Sequence, residues 1–170
     1  DIQNTIARLN NIELKDNNRL IFDGLSIAIP RHKITAIVGL EAAHSLLLLQ
    51  IMTGSLKPSI GNIMVNGSTL STMDASQLHA MQKHIGIVLT SDIFDPAFSV
   101  YENIKFILDT YAPLPNDLAK DLIFFVLELV DMRYSMNLRP HDLSHGMKLR
   151  VNLAIGLLNN PSMLLYQDPF

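Results

Sequence analysis

The hydrophobic and polar positions change period several times along the chain. Leu25-Ser-Ile-Ala-Ile29 alternates apolar and polar residues before Pro30, a pattern that predicts a strand with one buried face. Lys33 to Val38 is rich in β-branched residues and ends at Gly39, which predicts a second strand. Ala42 to Met52 is almost wholly Ala and Leu, strong helix formers, so the order here reads strand, tight turn, buried helix. Ser55 to Gly61 carries turn residues; Asn62 to Asn66 reads as a short strand closed by Gly67, and His84 to Leu89 as another strand. From Phe94 to Pro140 strand patterns vanish. Leu118, Leu122, Phe125, Val126, Leu129 and Val130 instead follow a helical period, which predicts a helical insert. Ser144 to Leu158 places Met147, Val151, Ala154, Ile155 and Leu158 on one helical face, with Ser144 as N-cap and Asn159-Asn-Pro161 as the stop. Ser162 to Tyr166 then reads as a buried strand. Together these elements predict an α/β domain with a parallel sheet and a helical excursion.

Composition narrows the function classes. With 170 residues the chain fits one domain, and 48% hydrophobic against 17% charged residues predicts a packed core. A net charge of -3 and the lack of any Lys/Arg run argue against nucleic acid as a partner and against direct electrostatic binding to a membrane. There is no cysteine, so neither disulfides nor thiolate metal sites arise, which suits a cytosolic setting. The apolar runs Leu46 to Met52 and Leu122 to Val130 fall far short of the roughly 20 residues that span a bilayer, so a soluble chain is expected. The start at Asp1 and the stop at Phe170 both read as cut ends, with more residues expected on each side. His32, His79, His84 and His141 show no metal-ligand spacing, and the methionines read as core filler.

Three patterns occur in a fixed order. The first is the strand, glycine turn and helix around Gly39; the second is Leu143-Ser-His-Gly-Met147; the third is Leu164-Leu-Tyr-Gln-Asp-Pro-Phe170. With Ile21-Phe-Asp-Gly24, Ile29 to Ile37 and Ile60 to Gly67, they resemble the ATPase subunits of ABC transporters, and among these the subunits that drive Mla-type intermembrane phospholipid traffic. The resemblance implies a P-loop NTPase (RecA-like) core with a mainly parallel sheet, an N-terminal antiparallel β portion and an inserted helical subdomain. It divides a single, incomplete nucleotide-binding domain into a core of residues 1–90 and 146–170 and a helical subdomain of about 91–145. It also implies ATP and Mg²⁺ as cofactors, a membrane subunit as partner, pairing with a second nucleotide-binding subunit as homodimer or heterodimer, and a place on the cytoplasmic face of the cell membrane.

Residue by residue, the resemblance meets substitutions. The phosphate loop of the family needs glycines that let backbone N–H groups converge, a Lys for the β and γ phosphates and a hydroxyl for Mg²⁺. Here the loop is Gly39, Leu40, Glu41, Ala42, Ala43, His44, Ser45, Leu46 and Leu47, in which only Gly39 matches. His44 takes the place of the last glycine, Ser45 of the Lys and Leu46 of the hydroxyl. The lost Lys removes a charge-assisted contact worth about 1.5–3 kcal/mol. Glu41 sets a negative charge at the helix start, where it either repels phosphate or stabilises the end of an empty loop. The metal-binding aspartate falls on Gln167, the catalytic glutamate on Asp168, which also suits a turn before Pro169, and the glutamine of the family on Thr90. The adenine-stacking aromatic falls near Asp16, in a stretch that reads as a polar turn. The signature loop, Leu143, Ser144, His145, Gly146 and Met147, keeps its serine and second glycine. These replacements predict a transporter subunit whose hydrolysis is lost. The alternatives are a pseudo-ATPase that docks a membrane subunit, and a decayed fragment without function.

Overall fold

The computed structural model describes residues 4–90 and 93–167, and these divide into two compact units, 1–82 and 83–170. In the first unit, β1 (Thr5–Asp16) and β2 (Arg19–Pro30) form a long antiparallel hairpin, and β3 (Ile60–Val65) and β4 (Ser68–Thr69) complete a sheet of order β2-β1-β3-β4. The hairpin turns at Asn17 and Asn18, both at positive φ, as a tight turn between right-twisted strands requires. The polar stretch at Lys15 to Asn18 therefore ends a strand and makes its turn. Asn66 and Gly67 repeat the device between β3 and β4. Register sets Ala7 and Leu9 of β1 opposite Ile29 and Ile27 of β2 and opposite Val65 and Ile63 of β3, which gathers one apolar face. Gly61 is at φ +95, and a Cβ there would stand 2.4 Å from the Asn11 carbonyl, so no other residue fits the bulge between β1 and β3.

Helix α1 (Ala42–Met52) has the bounds that its composition predicts and buries Leu48, Ile51 and Met52. It ends at Thr53, with Gly54 at φ +75 accepting the left-handed step that follows. The periodicity gave no sign of α2 (Ala75–Gln82), which closes the unit and whose Gln82 Nε2 donates to the Thr53 carbonyl at 3.0 Å.

The expected strand at Lys33 to Val38 requires correction. This segment pairs with no strand among the described residues; Ile34 is fully exposed and Val38 87% exposed. High β-propensity records how well side chains suit a pleated surface, but a strand also needs a neighbouring backbone to accept its hydrogen bonds.

The second unit holds the parallel pair β5 (Ile85–Val88) and β6 (Met163–Tyr166) and the helices α3 (Val100–Tyr111), α4 (Asn116–Leu129) and α5 (His145–Leu157). Its helical core joins Val100, Ile104 and Leu108 of α3, Ala119, Ile123, Val126 and Leu127 of α4, and Val151 and Ala154 of α5. The helical insert thus forms where the strand patterns stop, and the apolar residues that set its helical period divide between core and surface. Val126 and Val130 are buried, whereas Leu118, Phe125 and Leu129 stand more than half exposed. Two apolar stripes share this helix, and α3 and α5 cover the one running through Ala119 and Ile123. No helix among the described residues is long and apolar enough to cross a membrane.

Candidate functional site

The Gly39–Leu47 loop lies in the first unit. Gly39, at φ +88, has open space where a Cβ would point, so the turn is exposed. Glu41 is the N-cap of α1 with extended backbone angles, yet its side chain makes no capping bond and is 77% exposed. Its carboxylate instead lies 4.0 Å from His44 Nε2, one turn along. Ser45 Oγ donates to the Ala42 carbonyl at 2.8 Å, which turns this hydroxyl back onto its own helix. Leu46, at the position where the family holds a Mg²⁺-binding hydroxyl, presents only carbon to solvent. The loop therefore offers a carboxylate and methyl groups, with no Lys or Arg from Gly39 to Leu47.

The Leu143–Met147 stretch lies in the second unit, at the start of α5. Leu143 is buried and anchors it beside the turn Pro140–Asp142. Ser144 caps α5, its Oγ accepting from Met147 N at 3.2 Å and its carbonyl from Lys148 N at 3.0 Å. Ser144, His145 and Gly146 are exposed, Gly146 has nothing within 4 Å of an added Cβ, and the first turn of α5 carries no acid. The start of α3 contrasts with this. There the Ser99–Glu102 capping box brings a carboxylate to the helix end, with Glu102 Oε2 accepting from Ser99 N at 2.7 Å. The Leu138 and Met136 carbonyls accept from Val100 N and Tyr101 N. Between these two helix ends only α5 leaves a positive dipole end facing solvent without a carboxylate. The two bonds with Ser99, helped by the Arg139 charge, hold the Glu102 carboxyl below its ordinary pKa.

Thr90 and Gln167 leave the same end of the parallel pair, where Val88 registers with Tyr166 and Gln167 N donates to the Val88 carbonyl at 2.9 Å. The carboxyl ends of parallel strands are where open α/β sheets collect ligands. Partial burial raises the Tyr166 phenol pKa beside them. Asp168 lies outside the described residues. Among the described residues no group of three or more His, Asp or Glu side chains could hold a metal. Leu46 is apolar, the Ser45 hydroxyl donates to its own helix, and Gln167 is a neutral amide, a poor ligand for a hard cation.

Several organising residues escaped the sequence reading. Asn103 is buried and staples the loop before α3: its Nδ2 donates to the Asp95, Phe98 and Ser99 carbonyls at 3.0–3.2 Å, and its Oδ1 accepts from Asp95 N at 2.8 Å. The Ser-Val-Tyr-Glu spacing at 99–102 could have revealed the capping box. Nothing in the pattern singles out Asn103 or Asn152, or the contact of Gly86 with Gly156.

Comparison with known proteins gives a consistent neighbourhood. Residues 22–170 match the family model described as ABC transporter. The chain is 30% identical over 165 residues to the intermembrane phospholipid transport system ATP-binding protein MlaF of Escherichia coli K12, covering 97% of this chain and 61% of that protein. It is 29% identical over 165 residues to the Haemophilus influenzae MlaF, covering 97% and 62%. The chain thus spans about three fifths of the length of these relatives. Among solved structures, cbiO1 of Clostridium perfringens, part of the ABC transporter complex cbiONQ, superposes with a TM-score of 0.80 at 25% identity, covering 96% of this chain and 65% of that one. The dimeric ATP-binding cassette MJ0796 bound to ADP and Pi gives a TM-score of 0.77 at 20% identity, covering 94% and 72%.

Proposed function

This chain belongs to the ABC transporter family, with its α/β P-loop NTPase fold, and from that premise we propose that it is an ATP-binding-type subunit of a phospholipid transporter whose hydrolysis is lost. The observation that carries the proposal is the start of α1. Glu41 stands there exposed and makes no side-chain capping bond, Ser45 is turned onto Ala42, and the loop contains no Lys or Arg. A triphosphate approaching this helix end would meet the favourable dipole, but also a like charge. Phosphoryl transfer depends on metal, cation and water being held together. This chain replaces the residues for all three, at Ser45, Leu46, Thr90 and Gln167.

The lipid cargo rests on the likeness to MlaF, whose printed name specifies intermembrane phospholipid transport. The dimeric cassette supports a partner nucleotide-binding subunit, to which the open Ser144–Gly146 helix start would present backbone donors. In this reading residues 1–90 and 146–170 form the core of one domain, with a helical subdomain at about 91–145, on the cytoplasmic face of a membrane beside a transporter subunit. The docking-module reading draws support from one further observation, the exposed Leu118, Phe125 and Leu129 stripe on α4, an apolar surface that protein partners cover.

Steady-state phosphate release tests the proposal. The expected result is no Mg²⁺-dependent release above a protein-free control. Release that Asp168→Ala abolishes would overturn it.

A further inference from the structure

Among the asparagines of the chain only Asn66 is followed by glycine. An asparagine side chain is open to attack at its amide carbon by the backbone nitrogen of the next residue, and a Cβ on that residue obstructs the approach. Gly67 carries none, has nothing within 4 Å of where one would stand, and is exposed together with Asn66, so water reaches both.

The fold restrains this pair. Asn66 is at φ +51 and Gly67 at φ +80, the left-handed angles of a two-residue hairpin turn. Ring closure needs the Gly67 nitrogen rotated to lie beside the Asn66 Cβ, far from the ψ of roughly +30 to +60° that a left-handed residue keeps. The turn must therefore open before the side chain can react. Two bonds hold it closed: Arg31 Nη2 donates to Asn66 Oδ1 at 2.9 Å, and Asn66 N donates to the Ile6 carbonyl at 2.9 Å. Against them stands the brevity of β4, which is only Ser68–Thr69, lies at the edge of its sheet and pairs at two positions, Val65 with Ser68 and Met64 with Thr69. Short, exposed edge elements open at little cost in free energy.

We propose that Asn66 is a site of spontaneous deamidation, reached through opening of the β3–β4 turn, with Arg31 as the clasp that sets its rate. In the open turn the Gly67 nitrogen gives up its proton to water and bonds to Asn66 Cγ. The bond from Cγ to the amide nitrogen breaks, ammonia leaves and a succinimide ring closes. Water then opens the ring at either carbonyl, leaving aspartate or isoaspartate at this position. Nothing is oxidised or reduced, and water is the only co-reactant. Aspartate sets a carboxylate against the Arg31 guanidinium, and the turn closes again on an ion pair. Isoaspartate adds a methylene to the backbone of a two-residue turn, and the β3–β4 register is lost. Either product takes the chain one charge below its present -3. The site lies in the first unit and involves no nucleotide, so it stands or falls separately from the function proposed above.

Incubation of the intact chain at mildly alkaline pH, followed by peptide mapping that resolves aspartate from isoaspartate, tests it. Conversion is expected at Asn66 ahead of every other asparagine, and more slowly in the folded chain than in urea. Arg31→Ala, and Arg31→Met, which keeps the aliphatic stem, are expected to speed conversion ~3- to 10-fold in the folded chain, the factor set by loss of one hydrogen bond, and to leave the rate in urea unchanged. No conversion at Asn66 in the folded chain would overturn the site, and conversion as fast folded as in urea would overturn the gating by the turn. Parent rates in both folded Arg31 variants, or the same acceleration in urea, would overturn the clasp.

Discussion

Replacing Gly86 with Ala tests how closely α5 lies on the parallel pair. The added methyl would stand 2.3 Å from the Gly156 carbonyl oxygen, 2.7 Å from Leu164 Cδ1 and 3.0 Å from Pro161 Cγ. Leucine can turn away, but a helix backbone cannot, so α5 must retreat from β5 by roughly 1 Å to restore van der Waals contact, loosening the packing of Val88 and Leu164. Overpacking of this kind costs about 1–3 kcal/mol, and a clash with backbone belongs at the upper end. Alanine recovers about 0.5–1 kcal/mol because it loses less conformational entropy in a strand than glycine. The net expectation is a loss of about 2 kcal/mol, a fall in melting temperature of roughly 4–8 °C for a chain of this size. Urea and thermal unfolding followed by circular dichroism measure it. Gly146→Ala serves as control: it has open space at its Cβ and no positive φ, and is expected to leave stability unchanged or raise it by about 0.5 kcal/mol. If Gly86→Ala changes stability by less than about 0.5 kcal/mol, α5 does not sit backbone against backbone on β5.

Two further outcomes follow from the loop before α3. Because hydrogen bonds from Ser99 lower the Glu102 pKa in the folded state, folding favours its deprotonated form. That stabilisation is fully present above the ordinary Glu value of about 4.3 and is lost as pH falls through the lower folded value, so Glu102→Gln should flatten the decline of urea midpoints on acidification below about pH 4.3. An unchanged slope would contradict the capping box. Asn103→Leu removes the side-chain bonds of the staple and leaves Asp95 N and the Phe98 carbonyl without them, while the Asp95 and Ser99 carbonyls keep bonds from Phe98 N and Asn103 N, for an expected cost of about 3 kcal/mol in urea unfolding, and a cost under about 1 kcal/mol would show that the staple does not bear on stability.

What the sequence made legible is what local periodicity encodes. The bounds of α1, the cap at Ser144 and the change from strands to helices after Phe94 all depend on residues near one another in the chain. Lys33 to Val38 has the residues of a strand, but whether a neighbour exists for it is not written in those six positions. On α4, Leu118, Phe125 and Leu129 keep helical spacing as well as Ile123 and Val126 do, and only the packing of α3 and α5 decides which stripe is covered. Motif spacing proposed the Gly39–Leu47 and Leu143–Met147 stretches as functional. The inward turn of the Ser45 hydroxyl and the missing cap of Glu41 became visible only in three dimensions. Nothing in the sequence marks Asn152, and its bond to the Leu89 carbonyl, 63 residues away, is a tertiary fact.

The proposed function holds that replaced side chains, and not the fold, keep this chain from turning over ATP. Calorimetric titration of ATP into the parent and into a chain carrying Ala42→Gly, His44→Gly, Ser45→Lys and Leu46→Thr tests it most directly, once circular dichroism shows both to be folded. The four changes rebuild the glycine turn, its cation and one metal oxygen, while Thr90 and Gln167 still leave metal and water poorly held. The parent is expected to give no saturable heat, the restored chain to bind measurably without turnover, and Glu41→Gln added to the restored chain to tighten binding. Tight binding of ATP by the unmodified parent would contradict the account, since the replaced side chains would then never have been needed.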